Sequence, residues 1–212
     1  MEKRRGLAMR LSVALVLAAG KGVRVGGPKA LLVVDGLPLA QAHLQARLSD
    51  CDRVVLVTRR SIAQSLAQPS PSPRARVVIS DAPDEEGPAG SIAAAVRQGA
   101  LDDATHVVVT PVDVRAAATR TITLLFESIR DRHRAARFAH GHPVACRADV
   151  LTAAYGEPGE GPPPPLRSVL RALGDSVLVL PDSDDGAVHE ELDEIDDVIR
   201  ATGAPPRFWS PA

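Results

Sequence analysis

A glycine-rich segment with two cations follows the first long apolar run of the sequence. Gly20 and Gly22 allow the backbone to turn sharply and to come close to a ligand. Amide N–H groups in such a turn can bind an anion, and Arg24 and Lys29 add positive charge within the same loop. This chemistry favours a polyphosphate, although a glycine-rich turn after a strand can also be a tight turn with no ligand. The segment is not a P-loop, because no Gly-Lys-Ser/Thr follows at the required spacing.

Asp113 stands at the end of a second apolar run, which begins at His106. The run is rich in valine, which is typical of a strand buried on both faces. Ligands of parallel α/β sheets bind at the carboxyl ends of the strands, so the carboxylate of Asp113 is placed to hold Mg²⁺ between phosphate oxygens. The alternative is structural, since an aspartate at this point could also cap the next helix.

Two further segments carry polar candidates. Residues 86–92 form a predicted turn that contains Gly87 and Gly90. Ser91 is expected near the start of the next helix, where it could bind a ligand or only cap the helix. From residue 182 to residue 197 nine residues are acidic, and a charge run of this kind usually forms only a solvated surface.

The elements that position these residues alternate along the chain. Short β-branched runs predict strands at residues 13–17, 53–58, 76–80, 106–110 and 177–180. Amphipathic segments predict helices at residues 37–47, 61–68, 90–99, 119–132 and 193–202. The alternation predicts an α/β fold, a Rossmann-like three-layer sandwich with a mostly parallel sheet. We expect a single domain at residues 11–204, between an N-terminal tail at 1–10 and a C-terminal tail at 205–212, because no later segment could form its own core.

Composition and charge argue against several classes of protein. The 212 residues include 25 basic and 26 acidic side chains, so no overall field favours nucleic acid or an anionic membrane. Cys51 and Cys146 lie far apart without companion histidines, which disfavours a disulfide framework or a zinc site. His140 and His142 stand two residues apart, and we do not expect them to share a metal ion.

The N-terminus allows two interpretations. Basic residues followed by the apolar residues 11–19 have the outline of a secretory signal peptide. The apolar run, however, passes directly into the glycine-rich segment, so we interpret it as the first buried strand. No other stretch approaches the roughly 18 to 20 apolar residues of a membrane span. We expect a soluble, cytoplasmic protein that is a monomer or a weak homodimer and binds neither nucleic acid nor membranes.

The string LAAGKGVRVGGPKALL at residues 17–32 closely resembles the LAAGxGxRxGxPKxLL signature of the MobA-like NTP transferases, in particular their molybdenum cofactor cytidylyltransferase branch. The resemblance implies the nucleotide-diphospho-sugar transferase type of fold. It also implies that the loop wraps an NTP triphosphate, which Arg24 and Lys29 neutralise, with nucleotide contacts from Leu17, Ala18, Ala19, Gly20 and Gly22. The LAAG string and the Pro28-Lys29 pair resemble members that use CTP rather than GTP.

The same resemblance assigns roles further along the chain. It implies that Asp113 binds the catalytic Mg²⁺, although the proline that usually trails this motif is missing. A loose match to an acidic family motif makes Asp193 the second metal ligand, with Glu191 a weaker candidate. The remaining nucleotide contacts would come from Gly87, Gly90 and Ser91, and the acceptor contacts from Gly141, His142 and Arg167.

Three functions remain open on this basis. The first is a Mg²⁺-dependent nucleotidyltransferase, with Arg24, Lys29 and Asp113 as its catalytic residues, that moves CMP from CTP to molybdopterin and releases pyrophosphate. The second is a nucleotidyltransferase for a sugar phosphate or another phosphorylated small-molecule acceptor. The third is a non-catalytic nucleotide-binding regulatory protein, which the altered C-terminal motifs favour.

Overall fold

The computed structural model describes residues 11–66, 72–130, 132–140 and 142–210. Its strands are β1 (Ser12–Ala18), β2 (Val33–Val34), β3 (Leu37–Pro38), β4 (Arg53–Thr58), β5 (Ala75–Ile79), β6 (His106–Pro111), β7 (Ala135–Phe138), β8 (Val144–Arg147) and β9 (Val177–Leu180). Seven of them form one sheet in the order β5-β4-β1-β6-β8-β7-β9, and β2 pairs with β3 in a separate ribbon. Within the large sheet only the pairs of β8 with β6 and with β7 are antiparallel. The predicted α/β fold with a mostly parallel sheet is confirmed.

Helices cover both faces of the sheet. They are α1 (Leu39–Asp50), α2 (Arg60–Ser65), α3 (Gly87–Arg97), α4 (Thr119–Ser128), α5 (Ala148–Tyr155), α6 (Leu166–Ala172) and α7 (Ile195–Thr202). Helices α3, α5 and α6 contribute to one hydrophobic core and α1, α2 and α4 to the other. Residues 13–18 of β1 enter the two cores alternately, which explains why the strand is apolar at every position after Ser12. No helix of the described residues is long and apolar enough to cross a membrane.

Parallel strand direction brings the candidate residues to one edge of the sheet. The carboxyl ends of β1, β4 and β6 lie at this edge, because the three strands run in the same direction. Strand β8 runs the opposite way, so the residues just before Val144 reach the same edge. The glycine-rich segment and Asp113 therefore meet where ligands of α/β sheets bind.

A third, smaller core joins the two ends of the chain. Its buried members are Val25, Leu32, Val34, Leu39, Leu192 and Val198, and Phe208 packs against it. Phe208 pairs with Leu32 in an antiparallel bridge, and the amide of Trp209 donates to the carbonyl of Leu31 at 2.7 Å. Residues 207–209, which we expected in a C-terminal tail, therefore pack against the loop that follows the glycine-rich segment.

The structure differs from the sequence prediction mainly in the second half of the chain. Strands β7 and β8 and helices α5 and α6 were not predicted, because they are short and β7 has no β-branched residue. Helix α4 ends at Ser128 rather than at residue 132, and α7 begins at Ile195 rather than at residue 193. Helix α1 spans Leu39–Asp50 instead of residues 37–47, since Leu37–Pro38 pairs with β2.

Candidate nucleotide site

A cavity of about 440 Å³ opens at the carboxyl ends of β1 and β6. The glycine-rich segment forms one wall and the start of α3 another. Predicted site residues that line it are Leu17, Ala19, Gly20, Gly22, Arg24, Lys29, Gly87, Ser91, Asp113 and Asp193. Residues separated by more than 160 positions thus line the same cavity, so one ligand can contact all of them.

Gly22 is needed for the shape of the loop, whereas Gly20 is not. Gly22 has φ +59°, and a Cβ on it would stand 2.0 Å from the carbonyl oxygen of Gly27. The amides of Val25 and Gly27 both donate to the carbonyl of Gly22 at 3.1 Å, so the turn itself needs this residue. Gly20 lacks a left-handed φ and would meet no atom within 4 Å. The fold therefore does not require glycine at position 20, and the missing side chain leaves room inside the cavity.

Asp193 holds the two predicted phosphate-binding cations. Lys29 Nζ forms an ion pair with Asp193 Oδ1, and Arg24 Nη2 donates to Asp193 Oδ2 at 3.0 Å. The hydrogen bond from Lys29 is the main reason why the pKa of Asp193 lies below its usual value, and Arg24 adds to the effect. Lys29 is 14% exposed and Arg24 is 63% exposed, so the lysine charge is the less screened of the two.

Backbone pairing explains how Asp193 reaches the cavity. Val114 and Glu191 form an antiparallel bridge, and the amide of Leu192 donates to the carbonyl of Asp113 at 2.7 Å. Leu192 is fully buried in the small core that also contains Val25 of the glycine-rich loop. Asp113 and Asp193 consequently flank the same cavity, on segments that are bonded to each other.

The two aspartates suit a divalent cation that is shared with phosphate. Asp113 Oδ1 is buried and has no hydrogen-bond partner among the described residues, so an oxygen ligand is left over at this point. Within the described part of the chain no group of three or more His, Cys, Asp or Glu side chains is placed to hold a metal ion. Mg²⁺ commonly takes one or two carboxylates and completes its shell with substrate phosphates and water. The residues present fit that mode and not a site made by protein alone.

The structure contradicts the two capping alternatives. Helix α4 begins at Thr119, six residues after Asp113, and its first turn is held by Asp185, which accepts from the amide of Ala118 and the hydroxyl of Thr121, both at 2.7 Å. Ser91 lies inside α3, which begins at Gly87, and it lines the cavity. Neither Asp113 nor Ser91 serves as a helix cap.

His43 positions the loop that carries Asp113. Its imidazole is fully buried, with Nε2 2.8 Å from the carbonyl oxygen of Val114 and Nδ1 3.2 Å from the hydroxyl of Thr110. Since a carbonyl only accepts, Nε2 carries the proton, and Thr110 donates to Nδ1. Burial is the main cause that lowers the pKa of His43 to about 4, and the positive charge of Arg47 contributes. Neutral His43 therefore joins α1 to both ends of the segment 110–114.

Some predicted site residues lie outside the cavity. Ala18 is buried in the core, and Gly90 is not among the lining residues of the cavity; a Cβ on Gly90 would meet Ala82 and Glu86 at 2.7 Å. Their expected nucleotide contacts stay predictions. His142 and Arg167 line a second cavity of about 520 Å³. Gly141 lies outside the described residues.

Sequence reasoning missed three charged residues of the cavity wall. Arg59 follows the carboxyl end of β4, and its Nε donates to the carbonyl of Ala19 at 2.8 Å. Asp84 forms ion pairs with Arg59 and with Lys21, the latter at 2.5 Å. Arg59 could have been found from its place directly after a predicted strand, since the carboxyl ends of neighbouring parallel strands share one edge. Asp84 and Lys21 carry no such signal.

Solved structures with the same fold include the Mycobacterium tuberculosis protein Rv0371c, which is 21% identical, with a TM-score of 0.70 over 93% of this chain and 100% of that one. A nucleotidyl transferase from Methanothermobacter thermautotroptrophicus is 20% identical, with a TM-score of 0.70 over 92% and 97% of the two chains. A 4-diphosphocytidyl-2C-methyl-D-erythritol synthase from Anaerococcus prevotii is 13% identical, with a TM-score of 0.70 over 92% and 95%. Rv0371c has also been solved in complex with manganese. At these identities the likeness establishes the fold alone.

No curated protein sequence matches the chain significantly. The family comparison is decisive instead, because residues 14–181 match the model of the MobA-like NTP transferase domain. The match includes the glycine-rich loop, Asp113 and the strands between them. This chain belongs to the MobA-like NTP transferase domain family.

Proposed function

We propose that the protein is a Mg²⁺-dependent nucleotidyltransferase that moves a nucleoside monophosphate, CMP in the first instance, from an NTP to a phosphorylated acceptor such as molybdopterin. One observation carries the proposal. Lys29 and Arg24 of the glycine-rich loop pair with Asp193, and the three line a single cavity together with Asp113, which suits a triphosphate with a cation beside it.

The cavity supports an in-line displacement. An oxygen of the acceptor phosphate attacks the α-phosphorus of the NTP, the bond from that phosphorus to the bridging oxygen breaks, and pyrophosphate leaves with the electron pair. Lys29 and Arg24 offset charge on the phosphates, while the backbone amides of the loop fix their position. Asp113 and Asp193 would hold Mg²⁺, which would supply further charge neutralisation when bound. Phosphates that enter the cavity would compete with Asp193 for Lys29 and Arg24.

CTP is the favoured donor because of the LAAG string and the Pro28-Lys29 pair. The likeness in fold to a 4-diphosphocytidyl-2C-methyl-D-erythritol synthase is consistent with a cytidylyl donor. The likeness to Rv0371c, solved with manganese, is consistent with a divalent cation in this fold. We further propose a cytoplasmic monomer or weak homodimer that uses small molecules only. A nucleotidyltransferase for a sugar phosphate remains the second candidate, since nothing in the cavity selects a pterin.

Pyrophosphate release from each of the four NTPs, with Mg²⁺ and a panel of phosphorylated acceptors, tests the proposal. We expect turnover with CTP and one class of acceptor. Nucleotide binding without turnover for every acceptor would favour the non-catalytic regulatory protein instead. A thermal-shift screen of the NTPs with and without Mg²⁺ gives an independent readout, since a ligand at 100 times its Kd adds about 2.7 kcal/mol to the free energy of unfolding.

Matched variants test the assigned roles. Lys29→Ala and Asp113→Asn should each lower kcat by about 10²- to 10³-fold, the usual effect of losing one charge-stabilising contact. Asp193→Asn should lower it as well, whereas Asp196→Asn, exposed three residues further on, should leave it unchanged. Circular dichroism spectra should be the same for all four. Wild-type turnover by the Lys29 or Asp113 variant would refute the roles given to these residues.

A further inference from the structure

A second cavity lies on the sheet face that carries α3, α5 and α6, between α6 and strands β7 and β9. It encloses about 520 Å³. Four basic side chains line it: Arg137, His142, Arg167 and Arg171. Its other lining residues are apolar or glycine, and no acidic residue of the described chain is among them. The cavity thus combines positive charge with an apolar floor.

The arginines of this cavity are placed to bind an anion. Arg167 and Arg171 are one helical turn apart, on the same side of α6. Neither guanidinium forms an ion pair or a hydrogen bond with another described residue. Arg137 donates one nitrogen, Nη1, to the carbonyls of Phe138 and Ala139 at 2.8 and 3.0 Å, which orients the guanidinium and leaves its other N–H groups available. Three guanidinium groups without a carboxylate form a site for a carboxylate or phosphate group.

Strand register relates this cavity to the nucleotide site. Arg137 pairs with Val144, Val144 with Val109, and these directly paired residues point to the same face of the sheet. Pro111, two residues after Val109 on that face, lines the nucleotide cavity. Strand β7 is two strand spacings from β6, and two residues along a strand add to the separation, so the backbones of Arg137 and Pro111, one in each cavity wall, lie roughly 10 to 15 Å apart. One extended small molecule can reach both.

We propose that the second cavity binds a second anionic group of the acceptor, at the end remote from the phosphate that receives the nucleotide. The acceptor class is therefore a small molecule with a reacting phosphate and, roughly 10 to 15 Å away, a further carboxylate or phosphate. This favours the second candidate, another phosphorylated acceptor, over molybdopterin, whose one phosphate is the reacting group. Arg137 and Arg171 join Arg167 and His142 as acceptor-binding residues. The proposal rests on the proposed nucleotidyltransferase function. Of the two tests below, only the second requires that activity.

The first test uses inorganic phosphate as the probe and needs no turnover. Side-chain Nε–Hε NMR signals of the arginines are followed as phosphate replaces chloride at constant ionic strength. The signals of Arg137, Arg167 and Arg171 should shift saturably with one common Kd, and that of Arg60, exposed on α2, should not. A Lys29→Gln variant, in which the nucleotide cavity is impaired, should give the same result. Linear shifts, or equal shifts at Arg60, would overturn the proposal.

The second test compares two acceptors that differ only in the remote anionic group. The double variant Arg167→Gln/Arg171→Gln should raise KM for the anionic acceptor by about 10- to 100-fold, as expected for lost charged hydrogen bonds. KM for the NTP, and all constants for the neutral acceptor, should stay at wild-type values. Inorganic phosphate should compete with the anionic acceptor, and activation by phosphate would indicate a separate effector site and refute the proposal. Absence of turnover with every acceptor would count against the proposed function, while the NMR titration would still decide on the cavity.

Discussion

Replacement of His43 by glutamine tests whether burial keeps this imidazole neutral. The glutamine amide would still offer a donor to the carbonyl of Val114 and would not titrate. The pKa of His43 is lowered from 6.5 to about 4, chiefly by burial. Between these two values the unfolded chain binds a proton that the folded protein does not. The stabilising contribution of neutral His43 is therefore complete above about pH 6.5, falls as the pH falls, and is lost below about pH 4.

The size of the effect follows from the same two pKa values. A difference of about 2.5 pKa units corresponds to about 3 kcal/mol in the acid limit, and to about 2 kcal/mol at pH 5. Carboxylates with lowered pKa values, such as Asp193 and Asp185, lose their stabilising contribution mainly at lower pH. Measurements between pH 7.5 and pH 5 consequently isolate the histidine.

Urea unfolding followed by circular dichroism at pH 7.5, 6.5, 5.5 and 5.0 measures the free energy of unfolding for both proteins. Wild type should lose about 2 kcal/mol more than His43→Gln over this range, whatever the stability of the variant at pH 7.5. The change in unfolding free energy with pH is independent of any packing defect that the substitution introduces, because such a defect lowers the stability equally at every pH. Parallel curves for the two proteins would show that burial does not hold His43 neutral, and the account of its pairing with Val114 and Thr110 would have to be abandoned.

Three further predictions concern the loop, α4 and the C-terminal segment. Gly22→Ala should lower the thermal unfolding temperature and abolish NTP binding, because its Cβ would stand 2.0 Å from a backbone oxygen. Gly20→Ala should unfold at the wild-type temperature but bind NTP more weakly, as measured by calorimetry. Unchanged NTP affinity of Gly20→Ala would contradict a ligand at that position. Asp185→Ala should cost about 1 to 2 kcal/mol of unfolding free energy in urea, and the exposed Asp184→Ala almost nothing. Phe208→Ala should weaken NTP binding and speed proteolysis within residues 20–29; unchanged cleavage would show that the ring does not support the loop.

The first half of the fold could be predicted because its signals are local. Strands β1, β4 and β6 are buried on both faces, so valine and leucine fill most positions and the runs are recognisable in sequence. The glycine-rich loop is recognisable for a different reason, since Gly22 needs a left-handed backbone that other residues rarely adopt.

Strand β7 shows why the second half was harder to predict. Its four residues, Ala135–Phe138, have no run of β-branched side chains, and their burial comes from pairing with β8 and β9. The position of Asp193 is a similar case, because it depends on burial of Leu192 beside Val25, a contact between distant segments. Arg137 could not be assigned to a site for the same reason. Where tertiary contacts alone place a residue, neither composition nor periodicity predicts it.

The junction between the glycine-rich loop and the C-terminal segment has a consequence for biosynthesis. Arg24 and Lys29 meet Asp193 across 169 and 164 residues of chain, and Phe208 touches the loop from still further away. Contacts of such long range form late in folding, since a large loop must close first. During synthesis on the ribosome the loop emerges before residues 193–208, so its contacts with Asp193 and Phe208 form only after those residues have been made. We therefore expect nascent chains that lack residues 193–208 to be unable to bind NTP.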